Sequence, residues 1–178
     1  MINENVVPFP ILTTDRLKLR QLLESDVEEV FSLRSDPIVN KYLERQPSFT
    51  LDDSLNFIRK INESIGNTAL KYWAIELKES KKLIGTICLF DFFAEHKKCE
   101  IGYELLTDFQ GKGIMNEAVK AIIAYAFKTL GLNIIDACTH KDNQNSNKLL
   151  QKNNFEKIEI TSEKKRDLIL FRLMKQAR

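Results

Sequence analysis

Apolar and polar residues first alternate at Leu17 and Leu19, which are flanked by Arg16, Lys18 and Arg20; this predicts a half-exposed strand with its charges outward. Ser25, with Glu28 three residues on, gives a capping-box pattern ahead of a helical run carrying Val27, Val30, Phe31 and Leu33. Asp36-Pro37 ends that run, because the residue before a proline is disfavoured in the helical region. Ile38 to Leu43 reads as a further short helical turn. A second capping box, Thr50 with Asp53, opens a helix whose Ser54, Phe57, Ile58, Ile61 and Ile65 recur at helical spacing, with Gly66-Asn67 as a left-handed cap. The period then changes to two, with Trp73, Ile75 and Leu77 against Tyr72, Ala74 and Glu76. Leu83 to Phe93 is apolar on both faces, which suits a central strand.

The stretch from Cys99 to Leu130 organises the rest. A strand, Cys99 to Leu106, leads into Gln110-Gly111-Lys112-Gly113-Ile114-Met115 and then a helix with an apolar stripe of Val119, Ile122, Ile123, Ala126 and Phe127, stopped at Gly131. Two glycines just before a helix start let unpaired N–H groups converge where the helix dipole is positive, so the loop predicts an anion site for a phosphate-bearing ligand. It is neither a Walker A sequence nor a dinucleotide fingerprint. Ile134 to Cys138 gives a buried strand, Asn143 to Asn153 a short helix, and Phe155 to Thr161 with Leu168 to Met174 a closing antiparallel pair. The order predicts a mixed α/β sheet in a single domain over residues 1–178, with 1–13 as an extended lead-in.

Composition adds limits. A net charge of +2 does not support a nucleic-acid or membrane-surface role, and the basic run Lys164-Lys165-Arg166 falls in a predicted hairpin turn. Cys88, Cys99 and Cys138 are widely spaced within apolar runs, a pattern that argues against a disulfide framework or a metal set and reads as reduced, mostly buried cysteines. With no secretory leader pattern at the start and no apolar stretch long enough to span a bilayer, a cytoplasmic protein is expected.

Several segments carry a resemblance. Gln110, Gly113 and Met115 fit motif A of the GNAT acetyltransferase superfamily, and Asn116-Glu117-Ala118 is similar to the T-E-A that opens the next helix in its ribosomal-protein N-acetyltransferase branch. Asn143-Gln144-Asn145-Ser146 with Leu150, Lys152, Asn154 and Phe155 resembles that branch's N-x-x-S…L-x-K-x-G-F. Thr14 to Arg20 and Ser35-Asp36-Pro37 resemble its T-x-R-L-x-L-R and S-D-P segments. Met115 and Asn154 depart from the pattern; Asn is the second choice for a left-handed cap.

The resemblance implies a mostly antiparallel, twisted GNAT sheet of about seven strands with about four helices, splayed between the fourth and fifth strands. It implies acetyl-CoA as cosubstrate, no metal, and direct acetyl transfer to a primary amine, a protein N-terminal α-amine above all. The alternatives are a small-molecule acceptor (a polyamine or an amino sugar) and a non-catalytic acyl-CoA-binding module. Leu105, Leu106 and Thr107 are expected to pair with the pantetheine arm. Gln110, Gly111, Lys112, Gly113, Ile114 and Met115 are expected to hold the pyrophosphate. Glu100 is the candidate general base, with Glu104 on the same strand face as substitute; a solvated carboxylate is the other reading of Glu100. Asn143 is expected to bond the pantetheine or cap its helix, and Ser146 to meet the leaving sulfur. The acceptor's identity and homodimerisation stay open.

Overall fold

The computed structural model describes residues 8–65, 70–158 and 167–176. The chain starts with two short strands, β1 (Leu12–Thr13) and β2 (Leu17–Arg20), followed by helices α1 (Val27–Ser35), α2 (Pro37–Asn40) and α3 (Leu51–Ser64). Three antiparallel strands come next: β3 (Leu70–Leu77), β4 (Lys82–Phe93) and β5 (Lys98–Leu105). Helix α4 (Ile114–Lys128) crosses over to β6 (Ile134–His140), and α5 (Gln144–Lys152), β7 (Glu156–Ile158) and β8 (Leu168–Met174) complete the chain. Among the described residues these form one sheet of eight strands in the order β1-β2-β3-β4-β5-β6-β8-β7, with five helices. The two elements beyond the expected count are the two-residue β1 and the four-residue α2.

Every neighbouring pair is antiparallel except β5 and β6, which the α4 crossover makes parallel. That pairing covers only Lys98 to Glu100 against Ile134 to Asp136, and beyond it the strands part. The expected splay is therefore here, between β5 and β6, one strand later in the count because of β1.

The closed end of this pair is braced by charge. Asp136, almost fully buried, takes two hydrogen bonds from Arg172 on β8 at 2.7 and 2.8 Å and lies 3.2 Å from the Lys98 ammonium on β5. Burial pushes the Asp136 carboxyl up, but the bonds from Arg172 and Lys98 outweigh it and hold it below the usual carboxylate range. A carboxylate depressed in the folded state adds stability that is complete above its unfolded pKa, about 3.9, and is lost as pH falls through its lower folded value. Urea midpoints measured against pH should thus fall below about pH 4 in the wild type, and fall less steeply in Asp136→Asn.

Two apolar clusters fill the two faces of the sheet. Trp73, Ile87, Leu89 and Ile101 pack under α4, whose Ile114, Met115, Val119 and Ile122 point inward. Leu22, Val30, Ile58, Tyr72 and Leu83 join α1 and α3 to the opposite face. The lead-in packs on the first cluster, where Trp73 donates its indole N–H to the Pro10 carbonyl at 2.7 Å.

Two local expectations change. Arg20 is buried, not outward: its guanidinium makes two 2.8 Å hydrogen bonds to Asp26 and lies 2.5 Å from Glu76. Asp26 also accepts the Leu23 N–H at 2.8 Å, so the chain enters α1 through a short turn at Glu24–Asp26 rather than through a Ser25 cap. The Thr50–Asp53 box forms as expected. Asn154 adopts the left-handed conformation, φ 64°. The Gly66-Asn67 cap, the Lys164–Arg166 run and the end of the strand predicted to Thr161 lie outside the described residues.

Candidate active site

The glycine loop joins β5 to α4 through a short turn, Thr107–Phe109, and then through Gly111 and Gly113, both left-handed at φ 73° and 75°. Only glycine takes that conformation without steric cost. The first intrahelical bond runs from the Glu117 N–H to the Gly113 carbonyl, so the amides of Ile114, Met115 and Asn116 precede it. The side chains of Ile114 and Met115 are core residues, which suits an apolar methionine at position 115. A Cβ at Gly111 would meet nothing within 4 Å, and one at Gly113 would meet only the Arg16 guanidinium, at 3.7 Å. The loop is an open amide cradle with free space beside both glycines.

The cradle is braced from behind by the start of the chain. Glu117 accepts from the Thr14 hydroxyl at 2.5 Å, the Arg16 amide at 2.9 Å and the Arg16 guanidinium at 2.7 Å, while Arg16 also donates to the Lys112 carbonyl at 3.0 Å. Burial pushes Glu117 up, but these bonds outweigh it and hold the carboxyl below its usual range. The segments at Thr14–Arg16 and Asn116–Ala118, a hundred residues apart, are one structural unit. Lys112 lies with its ammonium 5.7 Å from the Phe109 ring.

The gap between β5 and β6 is the second part of the site. The Leu106 N–H pairs with Ile84 on β4 at 2.9 Å; alternation then turns the backbone of Leu105 and Tyr103 toward the gap. The Leu106 carbonyl accepts from Phe109 and the Thr107 carbonyl from Gln110, so both help close the turn into the loop. The Gln110 side chain donates to the Leu105 carbonyl at 3.0 Å and ties the strand end to the loop. Across the gap, Ser146 on α5 and Tyr103 on β5 share a 2.8 Å hydrogen bond between hydroxyls. Burial pushes the Tyr103 phenol up to about 12, with the Ser146 bond opposing. Asn143 caps α5, its side chain accepting from the Ser146 N–H at 3.2 Å.

The third part is a cleft of about 300 Å³ on the α1 face of the sheet, lined by Arg34, Arg45, Tyr72, Thr86, Tyr103 and Glu104 among others. Glu104 is buried at its floor. The Thr86 hydroxyl donates to it at 3.2 Å, and an Arg45 guanidinium nitrogen lies 2.6 Å away. Burial pushes the Glu104 carboxyl up, and the charges of Arg45 and Arg34 offset this only in part. Glu100 shares that face but pairs with Asp136 at the closed end, four residues and roughly 13 Å from Glu104. Beside the cleft, Asp36 caps α2 and accepts the Thr107 hydroxyl at 2.7 Å, and Asn40 accepts Arg45 Nε at 2.7 Å. Tyr42 stacks on His140 at the end of β6, 5.1 Å between ring centres. A second hollow, about 370 Å³ beside Glu29 and Lys82, lacks any such buried charged group.

Arg34, Arg45 and Tyr103 are the residues that sequence patterns did not single out for chemistry. Neither arginine sits in a motif, and only the pairing of Glu104 beside Thr86 on β4 brings them to a carboxylate. Cys88 and Cys99 have thiols pushed up to about 12, chiefly by burial, whereas Cys138 on β6 is exposed. Among the described residues no group of His, Cys, Asp and Glu could hold a metal ion, and no helix is long and apolar enough to cross a membrane.

The family model of the acetyltransferase (GNAT) domain matches residues 16–156. The chain is 34% identical over 149 residues to the uncharacterized N-acetyltransferase YoaA of Bacillus subtilis (strain 168), covering 84% of each chain. It is 33% identical over 172 residues to the N-acetyltransferase p20 of Bacillus licheniformis, covering 93% of this chain and 96% of the relative. The ribosomal protein uS5-alanine N-acetyltransferase of Escherichia coli (strain K12) is 27% identical over 159 residues, with 85% and 80% covered. Among solved structures, RimL, a ribosomal L7/L12 α-N-protein acetyltransferase in complex with coenzyme A, superposes with a TM-score of 0.81 at 19% identity, over 93% of this chain and 98% of that one. The chain thus belongs to the GNAT acetyltransferase family and is an N-acetyltransferase.

Proposed function

We propose that this enzyme transfers acetyl from acetyl-CoA directly to a primary amine, with a protein N-terminal α-amine as acceptor. The observation that carries the reading is a buried carboxylate, Glu104, at the end of the strand that runs into an open amide cradle. Acetyl-CoA, when bound, supplies an activated thioester. The amides of the loop from Gly111 to Met115 are the donors this chain offers to its phosphates, with Gln110 and Lys112 beside them. Leu105 and Tyr103 offer the strand edge along the gap. Glu104 is the general base: burial raises its basicity, so it takes a proton from the amine more readily than an exposed glutamate would. An α-amine, with an ordinary pKa near 8, needs far less help than a lysine at about 10.4. Ser146 and Tyr103 are this chain's hydroxyl donors at the gap for a departing thiolate, and Asn143 fixes the helix turn that holds Ser146. The uS5 relative, by its name an alanine N-acetyltransferase of a ribosomal protein, supports the choice of acceptor.

Release of the CoA thiol should be followed with N-terminal peptides, polyamines and amino sugars as acceptors. Turnover confined to polyamines or amino sugars would overturn the peptide reading. For the cradle, Gly113→Val should weaken CoA binding at least about tenfold by calorimetry, since a left-handed valine costs roughly 1–2 kcal/mol and a loop that relaxes to avoid that cost moves its amides out of place. Circular dichroism should be unchanged, because the added atoms enter open space. Full affinity in that variant would remove the loop from the phosphate site.

A further inference from the structure

Arg45 is held on two sides and, among the described residues, has no partner on the third. Its Nε donates to Asn40 at 2.7 Å, and the Asn40 amide is itself fixed by donating to the carbonyls of Arg34 and Asp36 at 3.0 and 2.8 Å. One terminal nitrogen lies 2.6 Å from Glu104 Oε2, an ion pair whose N–H is off the line of a good hydrogen bond. The other terminal nitrogen is buried and has no acceptor among the described residues. Arg34 stands behind, its guanidinium 3.9 Å from the Phe57 ring centre and 3.3 Å from the Ser48 hydroxyl. Burial and then the charge of Arg45 pull Arg34 below its ordinary value, as expected where positive charge is in excess. The cleft interior thus holds two guanidinium groups against one carboxylate, with Glu44 exposed at the rim.

A buried donor without an acceptor costs free energy, and the arrangement gains most from a ligand that brings an anion to it. We infer that the acceptor is an amine that carries a carboxylate within a few bonds of its nitrogen, the carboxylate bound by Arg45 and the amine directed to Glu104. This rests on the acetyl-transfer reading and narrows it. The same two charges repel a polyamine, which brings further cations and nothing for Arg45 to bind. The shared chemistry, an amine beside a carboxylate, occurs at a peptide N-terminus that begins with Asp or Glu and in a free amino acid.

The test is a comparison of kcat/KM for peptides alike except for Asp, Glu, Ser or Lys at the first position, with free aspartate, free alanine and spermidine alongside. Acidic acceptors should be preferred by about ten- to hundredfold over Ser-first peptides, and the arm that shows the preference identifies the source. In Arg45→Gln the ratio of acidic to neutral acceptors should collapse toward one, and Arg45→Lys, which keeps the charge without the planar fork, should restore part of it. The wild-type ratio needs no variant to fold. Equal or better use of Ser-first, Lys-first or spermidine acceptors would overturn the inference and leave acetyl transfer standing. CoA thiol release with no acceptor at all, while acetyl-CoA still binds, would overturn both.

Discussion

Replacing Glu104 with Gln is expected to lower kcat/KM for acetyl transfer by about 10²- to 10⁴-fold, the range general-base removal produces. Gln is close to isosteric, keeps a contact to Thr86 and cannot take a proton. A carboxyl whose pKa is raised is deprotonated only above that raised value, so wild-type activity should fall as pH drops through it. The Gln variant should lack that acid limb and remain uniformly slow. The control is Glu100→Gln, which should keep the limb, since Glu100 lies beside Asp136 where β5 and β6 are still paired. Loss of the limb in Glu100→Gln instead would assign the base to that residue.

The second large effect is on stability. Asp26→Ala should cost about 3–5 kcal/mol in urea unfolding, the range for removing one partner of a buried ion pair. Arg20 and Asp26 are about 10% and 8% exposed at the side chain, and the change leaves Arg20 with Glu76 as its one carboxylate among the described residues while the Leu23 amide also loses its acceptor. The double change Arg20→Met with Asp26→Leu removes both charges and should be less destabilised than the single variant, because no charge is stranded. Equal losses would mean that the pair acts only through packing.

These two sites also mark where sequence reasoning ends. The Thr50–Asp53 box and the Asp36 stop are local, and each was legible because its partners lie within a few residues; the glycine loop was legible by its residue pattern alone. Arg20 alternates with Leu19 as an outward charge does. It is buried because Asp26 and Glu76 come to it, and one of those partners is 56 residues away. Asp26, drawn to Arg20 and the Leu23 amide, makes the turn into α1 and so cancels the Ser25 cap. Glu104 was legible as a second carboxylate on the right strand face. Its burial was not, because the arginines that define the cleft come from α1 and the segment after α2. Tyr103 reads as a core residue by its phase with Cys99 and Ile101. It reaches Ser146 only because β6 has left the strand's side by that point.

The brace between Thr14, Arg16 and Glu117 has a consequence for how the binding loop comes into being. A fragment from β5 through α4 contains each glycine of the loop and Glu117, but lacks Thr14 and Arg16, which hold its back. Contacts spanning about a hundred residues must close before the cradle has its shape, so the loop is assembled by the whole topology rather than by its own local propensity. Exchange protection of the amides at Thr14–Arg16 should therefore rise when CoA occupies a loop on the far side of the sequence, although those residues line no part of the cradle. The ligand site and the beginning of the chain share one opening equilibrium.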